Sequence, residues 1–354
     1  MNTYTEFHSH ILTVANQLET RIREIDFENL SISSYSKKYW KDNLRKLRYV
    51  MQCNSYLLAN ACYKSGKQLS EITLLDHGGG TGSITLLARA IGVGTVIYND
   101  IYDVSCEDAK KVAQALQLVA DDYVCADSDE LMNYFKGRSS NCDCVVSRNV
   151  IEHIYSLENY FKHVSQFSDR NLVVCLATTA NIKNPLVTIY TRNIQRTAEL
   201  KGTKGKWQKE RDSSSSFLEI RKKIIREHYP SLSTDQVDMY AHASRGMKVE
   251  DILTLVQHHE QTQTTPTEPI DKTNTCDPMT GNRTENLIPI SVYKNLMEEN
   301  GFEFTVKAGF YNVNYQQKVL NLITPIINVV IKALPFTGIY FAPFILLVGV
   351  RNEK

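Results

Sequence analysis

"LLDHGGGTGS", residues 74 to 83, places three consecutive glycines directly behind an apolar run that ends in Asp76 and His77. A short apolar run predicts a buried strand, and the following "SITLLARAI" predicts a helix. Glycines between a strand and a helix let a ligand approach the unpaired backbone N–H groups of the first helical turn. The stretch therefore predicts a ligand-binding loop.

The spacing of this loop separates three ligands that such loops bind: a nucleoside triphosphate, a nicotinamide dinucleotide and S-adenosylmethionine (SAM). A triphosphate loop needs GxxxxGK followed by Ser or Thr, which is absent here. The dinucleotide pattern GxGxxG meets Ser83 when begun at Gly78, and Thr85 when begun at Gly80. An acid followed by alternate glycines does fit, with Gly79 as the additional one: Asp76, Gly78, Gly80, Gly82.

The sequence from residue 71 to about 180 alternates apolar runs with helical patterns. The five runs are "EITLLDH", "GTVIYND", "DYVCAD", "CDCVVS" and "NLVVCLAT". Continuous apolar runs that alternate with helices are typical of a parallel sheet covered on both faces. We therefore predict a doubly wound α/β fold.

The acid with alternate glycines resembles the first motif of the class I SAM-dependent methyltransferases, and the stretch 142–161, "CDCVVSRNVIEHIYSLENYF", is similar to the ubiquinone-pathway O-methyltransferases of that family. The resemblance implies a Rossmann-like seven-stranded sheet whose last strand is antiparallel and belongs to a hairpin-connected pair, and it implies SAM as cofactor. The resemblance implies that Asp76 supports the methionine end of SAM, that Asp100 accepts the ribose hydroxyls, and that Asp127 binds the adenine amino group. The expected cofactor-binding residues are Asp76, Gly78, Gly80, Gly82, Asp100, Ile101, Ala126, Asp127 and Asn149.

Four regions are expected along the chain. Residues 1–70 read as helices, 71–180 as the SAM-binding core, 181–290 as a helical and loop insertion that covers the substrate, and 291–354 as the completion of the sheet. Acceptor specificity in this fold usually depends on what covers the carboxyl edge of the sheet. The candidate acceptor-binding residues in the insertion are aromatic or basic: Tyr190, Arg192, Trp207, Tyr240, His242 and Arg245. The alternative is a solvated helical cap, and the turn-rich stretch 274–286 reads equally as a binding loop or a flexible one.

Three residues are candidates for catalysis: Glu152 and His153, which follow the fourth run, and His77 on the glycine loop. A base is needed only when the acceptor is a poorly ionised hydroxyl or amine. Helix capping and packing are the alternatives for Glu152 and His153, and loop hydrogen bonding is the alternative for His77. The similar O-methyltransferases carry Glu-x-x-Glu-His with a divalent cation; because Asn149 replaces the first acid here, we expect no metal.

Composition restricts the possible partners and location. The 40 basic and 39 acidic residues leave no net field that attracts nucleic acid, so no nucleic-acid partner is expected. The eight cysteines show no CxxC spacing and mostly lie in apolar stretches, which favours buried thiols over a metal or disulfide framework. Together with the lack of a signal-like N-terminal pattern, these cysteines indicate a cytoplasmic protein.

The segment from Val319 to Val350 contains Lys332 as its one charged residue. Pro325 and Pro335 divide it, and Thr324 with Pro325 predicts the start of a helix of about ten residues, roughly 15 Å long and too short to span a bilayer. The apolar face of this helix either packs on the domain or contacts the inner surface of a membrane through residues 319–342.

The sequence therefore favours a SAM-dependent methyltransferase that acts on an oxygen of a small-molecule, glycan or lipid-linked acceptor. Two alternatives remain: a nicotinamide-dependent oxidoreductase and a noncatalytic binding module with a Rossmann-like fold. Oligomeric state does not follow from the sequence.

Overall fold

The computed structural model describes residues 3–137, 141–202, 215–271, 274–334 and 337–352. Its strands, in chain order, are β1 Thr73–His77, β2 Thr95–Asp100, β3 Asp122–Cys125, β4 Cys144–Arg148, β5 Leu172–Thr178, β6 Glu303–Ala308 and β7 Ile345–Arg351. Its α-helices are α1 Tyr4–Arg23, α2 Ser34–Leu44, α3 Leu47–Ser65, α4 Ser83–Ala90, α5 Asp103–Ala115, α6 Ser128–Lys136, α7 Leu157–Val164, α8 Pro185–Lys201, α9 Phe217–His228, α10 Thr234–Ala243, α11 Val249–Thr262, α12 Ile290–Glu299 and α13 Lys318–Ala333. All five apolar runs form the predicted strands.

The strands form one seven-stranded sheet in the order β3-β2-β1-β4-β5-β7-β6. Neighbouring strands from β3 to β5 are parallel, whereas β7 is antiparallel to both β5 and β6. This confirms the predicted doubly wound sheet with an antiparallel last strand. The strand order reverses between β1 and β4, and ligands of open α/β sheets bind outside the carboxyl ends of strands at such a point.

The chain divides into two compact units, and the sheet belongs to the first. This unit comprises residues 1–151, 157–179 and 290–354. Its core joins the N-terminal helices to the sheet, because Ile11 and Leu18 of α1 and Leu57 of α3 lie in one buried cluster with Leu74 and Val146. Strands β1 and β5 are buried along their whole length, which explains why both read as continuous apolar runs.

The connection between β6 and β7 differs from a hairpin, because it contains α13. This helix continues through Pro325, so the predicted helix start at Thr324 is wrong. Pro325 has no N–H to donate to the preceding helical turn. That turn is nevertheless formed, because the helix begins after its N-cap residue Gln317, and the ring of Pro325 is exposed outside the core. Among the described residues, no helix is both long and apolar enough to cross a bilayer.

The second unit comprises residues 152–156 and 180–289. A buried ion-pair network ties its segments together: Arg221 of α9 is fully buried and donates to both carboxylate oxygens of Glu199 on α8. Arg245 and Thr275 donate to the same carboxylate, over 3.3 and 2.7 Å. Burial acts to raise the pKa of Glu199, but the hydrogen bonds and charge of Arg221 outweigh it, so the pKa lies below its usual value.

The segment that read as a binding or a flexible loop is ordered within the second unit. Cys276 and Arg283 form an antiparallel bridge, and the Thr284 N–H donates to the Thr275 carbonyl over 3.0 Å. Asp277 Oδ1 accepts from the N–H groups of Met279 and Thr280 and so closes the turn between the two bridged residues.

Glu199→Gln is expected to lower the free energy of unfolding by about 3 kcal/mol, because it leaves the buried Arg221 charge without its counter-ion. Urea titration of the full chain measures this. The matched control is Glu227→Gln on α9, whose exposed ion pair with Lys223 should be worth at most about 0.5 kcal/mol. Equal, small effects of the two substitutions would contradict the network's structural role.

Candidate functional site

The glycine loop lies at the carboxyl end of β1 and is fastened to β2. The Gly79 N–H donates to the Asn99 carbonyl over 2.8 Å, and the Tyr98 hydroxyl donates to the Gly80 carbonyl over 2.6 Å. Gly78, Gly80 and Gly82 all have positive φ, between 53° and 79°, a conformation that side chains with a Cβ disfavour. The alternate-glycine pattern therefore has a conformational cause.

Gly79 has a different requirement, which the sequence interpretation missed when it treated this glycine as additional. A Cβ at Gly79 would lie 2.6 Å from Tyr98 Cε2 and 2.9 Å from Asp76 Oδ2. A Cβ at Gly80, in contrast, would meet no atom within 4 Å. Gly79 thus packs the loop onto the sheet, while Gly80 leaves open space beside the main chain for a ligand.

Asp76 is a fully buried carboxylate at the end of β1. Its Oδ2 accepts hydrogen bonds from the Thr85 backbone N–H and hydroxyl, over 3.0 and 2.7 Å, whereas Oδ1 has no hydrogen-bond partner among the described residues. Burial raises the pKa of Asp76 to about 6, and the bonds from Thr85 offset part of this effect. A buried acceptor without a donor is costly, so Oδ1 suits the cationic amino group of a ligand, directly or through water.

Asp100 ends β2 beside the loop. Its Oδ2 accepts from the Gly80 N–H over 3.0 Å and its Oδ1 from the Tyr102 N–H over 2.9 Å. Each carboxylate oxygen keeps a further lone pair, so this fixed carboxylate can accept two hydroxyl donors. The next residue, Ile101, is 57% exposed and offers an apolar surface at the same strand end.

The end of β3 is held by a residue that the sequence interpretation did not select. The Asn99 side chain donates to the carbonyls of Val124 and Ala126, over 2.9 and 2.8 Å, and Ala126 is buried. The signal was a polar residue inside the otherwise apolar run before Asp100. Asp127 is exposed and caps α6, where its Oδ1 accepts from the N–H groups of Asp129 and Glu130, over 2.9 Å each.

The residues that follow β4, the strand next to β1, contact the glycine loop. Val150 occupies the space in which a Gly78 Cβ would lie, 2.5 Å from its nearest methyl carbon. Asn149 is exposed, has a φ of 57°, and its N–H donates to the Ala177 carbonyl over 2.8 Å. The structure thus brings Asp76, the glycine loop, Asp100 and Asn149 to the ends of three adjacent strands.

His77 is buried and its ring lies 5.3 Å from that of Tyr160, centroid to centroid. Burial lowers the pKa of His77 to about 4, although Asp100 acts in the opposite direction. A histidine with this pKa is neutral at pH 7 and a weak base. The ring packs against Tyr160, and its Nδ1 is buried with no hydrogen-bond partner among the described residues, so the catalytic role of His77 stays a prediction.

Residues 45–220 match a family model described as a methyltransferase domain. The match covers the glycine loop, the five parallel strands and the residues after β4. This part of the chain is a class I SAM-dependent methyltransferase domain.

Solved structures with low overall similarity to this methyltransferase include magnesium protoporphyrin IX methyltransferase from Synechocystis PCC 6803 with bound S-adenosylhomocysteine (SAH), at 12% identity, TM-score 0.38 and 99% coverage of both chains. The CurJ carbon methyltransferase is 12% identical at TM-score 0.41, over 98% of this chain and 67% of that one. A structure that concerns the conversion of a disulfide bond into a thioacetal group during echinomycin biosynthesis is 24% identical at TM-score 0.28, and the match covers 48% of that chain and 33% of this one. No curated protein matches significantly. Scores this low identify no acceptor.

The two catalytic candidates after β4 lie in the second unit of the methyltransferase. His153 Nδ1 bonds to the Arg283 carbonyl over 2.7 Å and must be the donor, so the lone pair of the neutral ring is on Nε2. That Nε2 lies 3.9 Å from Glu285 Oε1, and Glu152, which is buried, receives the Asn286 N–H on its backbone carbonyl over 3.1 Å. One ligand atom each from Glu152, His153 and Glu285 lie within 4.8 Å of one another, so these residues could hold a divalent cation.

Glu285 was not a candidate from sequence, because it lies 132 residues beyond His153 in a stretch without periodicity. Two predicted acceptor-binding residues have structural roles instead. Tyr240 is 2% exposed and donates to Glu260 over 2.6 Å, and Arg245 belongs to the Glu199 network. Tyr190 and Arg192 are exposed on α8 and His242 is partly exposed, whereas Trp207 lies outside the described residues.

Gly79→Ala is expected to lower the free energy of unfolding by about 1 to 3 kcal/mol, because its Cβ overlaps Tyr98 and Asp76. Gly80→Ala should lower the free energy of unfolding by only about 1 kcal/mol, because alanine disfavours the left-handed conformation. It should nevertheless weaken SAM binding at least tenfold, because its Cβ fills the open space. Urea titration and calorimetric titration with SAM measure the two effects. Tight SAM binding by Gly80→Ala would contradict this assignment.

SAM affinity is expected to fall about tenfold between pH 7 and pH 5. The Asp76 pKa of about 6 means that the carboxylate is ionised at pH 7 and largely protonated at pH 5, while the amino group of SAM, with a pKa of about 8, stays charged throughout. Calorimetric titration across this range measures the slope of SAM affinity against pH. Asp76→Asn should bind more weakly at pH 7 and show no slope; an unchanged slope in this variant would exclude Asp76 as its source.

Proposed function

We propose that this chain binds SAM at the carboxyl ends of β1, β2, β3 and β4 and transfers its methyl group to an oxygen of a small-molecule, glycan or lipid-linked acceptor. The observation that carries the proposal is the buried Asp76 Oδ1. Within the described part of the chain it has no hydrogen-bond donor, and it lies in the same loop region as the open main chain at Gly80 and the fixed carboxylate of Asp100. SAM fits these three groups: its cationic amino group suits Asp76, its body can lie close to the main chain at Gly80, and its two ribose hydroxyls suit Asp100.

Each part of the loop region then has a role in binding. Asp76 balances the charge of the amino group, and Asp100 accepts from the ribose hydroxyls while its own position is fixed by the N–H groups of Gly80 and Tyr102. Ile101 supplies apolar contact for the adenine. Asp127 Oδ1 already caps α6, so its other oxygen, Oδ2, is the one we assign to the adenine amino group.

The chemistry is an in-line displacement. The acceptor oxygen forms a bond to the methyl carbon as the bond from that carbon to sulfur breaks, the electron pair of the broken bond stays on sulfur, and the acceptor proton passes to a base. Alignment of the reacting atoms contributes roughly 7 to 11 kcal/mol to such a reaction. A base adds a further factor when the acceptor is a poorly ionised hydroxyl.

We assign the base to His153. Its Nδ1–H is held by the Arg283 carbonyl, so Nε2 is the atom that receives the proton, and Glu285 at 3.9 Å stabilises the imidazolium that forms. A base is useful when the acceptor must lose a proton, as a hydroxyl does, and we therefore propose methylation of oxygen. The exposed residues Tyr190 and Arg192 remain our candidates for acceptor binding.

Calorimetric titration with SAM, SAH and NADH tests the binding step. SAM and SAH are expected to bind at micromolar concentration and NADH not to bind. Asp100→Asn should weaken SAM binding by tenfold or more, whereas the matched control Asp103→Asn, an exposed acid three residues further on, should not change it. Binding of NADH with no binding of SAM below millimolar concentration would refute the proposal in favour of an oxidoreductase.

His153→Gln is expected to lower kcat by about 10²- to 10⁴-fold without changing SAM affinity. Transfer of labelled methyl from SAM to soluble and lipid fractions of an extract, assayed separately, provides the acceptor and the rate. His258→Gln, an exposed histidine on α11, is the control. Activity that a chelator abolishes and Mg²⁺ restores would instead assign Glu152, His153 and Glu285 to a metal ion.

A further inference from the structure

Helix α13 carries six large apolar side chains on its solvent-facing side. We call these residues the outer face; all are exposed, from 38% to 73%, and they recur at helical spacing: Val319, Leu322, Ile323, Ile326, Val329 and Val330. An exposed contiguous apolar patch marks a contact with another surface far more often than isolated apolar residues do.

The opposite side of α13 faces the protein, and next to the buried Ile331 it carries polar side chains. Asn328 exchanges two hydrogen bonds with the backbone of Tyr311, over 2.7 and 2.9 Å, and Asn321 exchanges two with the backbone of Tyr315, over 2.6 and 2.9 Å. Thr324, between them, is buried and donates to the Leu320 carbonyl. Residues at positions i, i+3 and i+7 share one side of a helix. These side-chain amides therefore fix the rotation of α13 about its axis.

This orientation is the reverse of that in ordinary surface helices, which bury the apolar stripe and expose the polar one. Rotation to bury the outer face would break four hydrogen bonds to the backbone of residues 311 and 315. The fold thus holds the outer face toward the surroundings, and water is a poor partner for it.

The charges around the outer face favour an anionic partner. The sequence has no Asp or Glu from Phe304 to Asn352, whereas Lys318 and Lys332 stand near the two ends of α13. Fourteen residues are close to four helical turns, so both lysines lie on the same flank of the helix. Two exposed aromatic residues, Tyr340 and Phe341, follow the helix, and such rings are common at membrane interfaces.

A second copy of the chain fits this surface less well. A symmetric contact would bring the lysines of both copies to one interface that contains no acid from residues 304–352 to pair with them. A bilayer with anionic headgroups, in contrast, accepts the apolar side chains below the headgroups and the lysines among them.

We propose that the outer face of α13 docks the protein on the surface of an anionic lipid bilayer, with the helix lying in the plane of the interface. At 16 residues the helix is about 24 Å long, shorter than the hydrocarbon core of about 30 Å. The proposal does not depend on methyl transfer, because it rests on the contacts and charges of α13 alone.

Sedimentation of the full chain with vesicles tests the proposal. The protein should pellet with vesicles of phosphatidylcholine and phosphatidylglycerol, and at least tenfold less with phosphatidylcholine alone. Ile326→Asp, and more strongly Leu322→Asp/Ile326→Asp, should reduce binding to the mixed vesicles at least tenfold. Lys318→Glu/Lys332→Glu should remove the preference for phosphatidylglycerol.

The matched control is Ile270→Asp, because Ile270 is a fully exposed isoleucine outside the outer face. It should bind vesicles like the wild type, and all variants should keep the wild-type urea midpoint. Wild-type protein that pellets with neither vesicle, or Ile326→Asp protein that pellets normally, would overturn the proposal. So would a wild-type dimer in analytical ultracentrifugation that Ile326→Asp dissociates, since that result assigns the outer face to a second copy.

Discussion

The hydrogen bonds from Thr85 to the buried Asp76 carboxylate are the interaction on which the candidate site depends. They join the last residues of β1 to the first turn of α4, and so define both ends of the glycine loop between them. Burial of the ionised carboxylate is unfavourable, and the raised pKa of Asp76 reflects this desolvation. A structural acid would ordinarily have both oxygens satisfied; here Oδ1 has no partner among the described residues, as expected for a group whose partner is a ligand.

The two units contribute different kinds of groups. The first unit supplies backbone and carboxylates at three strand ends, which are suited to hold a ligand of fixed shape. The second unit holds His153, Arg283 and Glu285 together through the ordered 274–286 stretch, and it anchors that stretch by the bond from Thr275 to Glu199. Because residues 152–156 belong to the second unit, the chain passes directly from β4 into the histidine-containing cluster.

The sheet followed from the sequence because buried parallel strands need continuous apolar runs, and all five runs became strands. Gly78, Gly80 and Gly82 were also predictable, since positive φ leaves a regular spacing. Gly79 was misjudged because its requirement is the neighbouring Tyr98 ring, which comes from another strand. Tyr240, Arg245 and Glu285 show the same limit: burial, ion pairs and contacts over more than 100 residues leave no local pattern. The helix through Pro325 was missed because proline usually marks a helix start.

The crystal structure of the protein with SAH tests the central claim most directly. The account predicts SAH against the main chain at Gly80, with its amino group hydrogen-bonded to Asp76 Oδ1, directly or through one water, and its ribose hydroxyls bonded to Asp100. SAH bound elsewhere in the chain, or bound at this loop with Asp76 Oδ1 still lacking a donor, would contradict it.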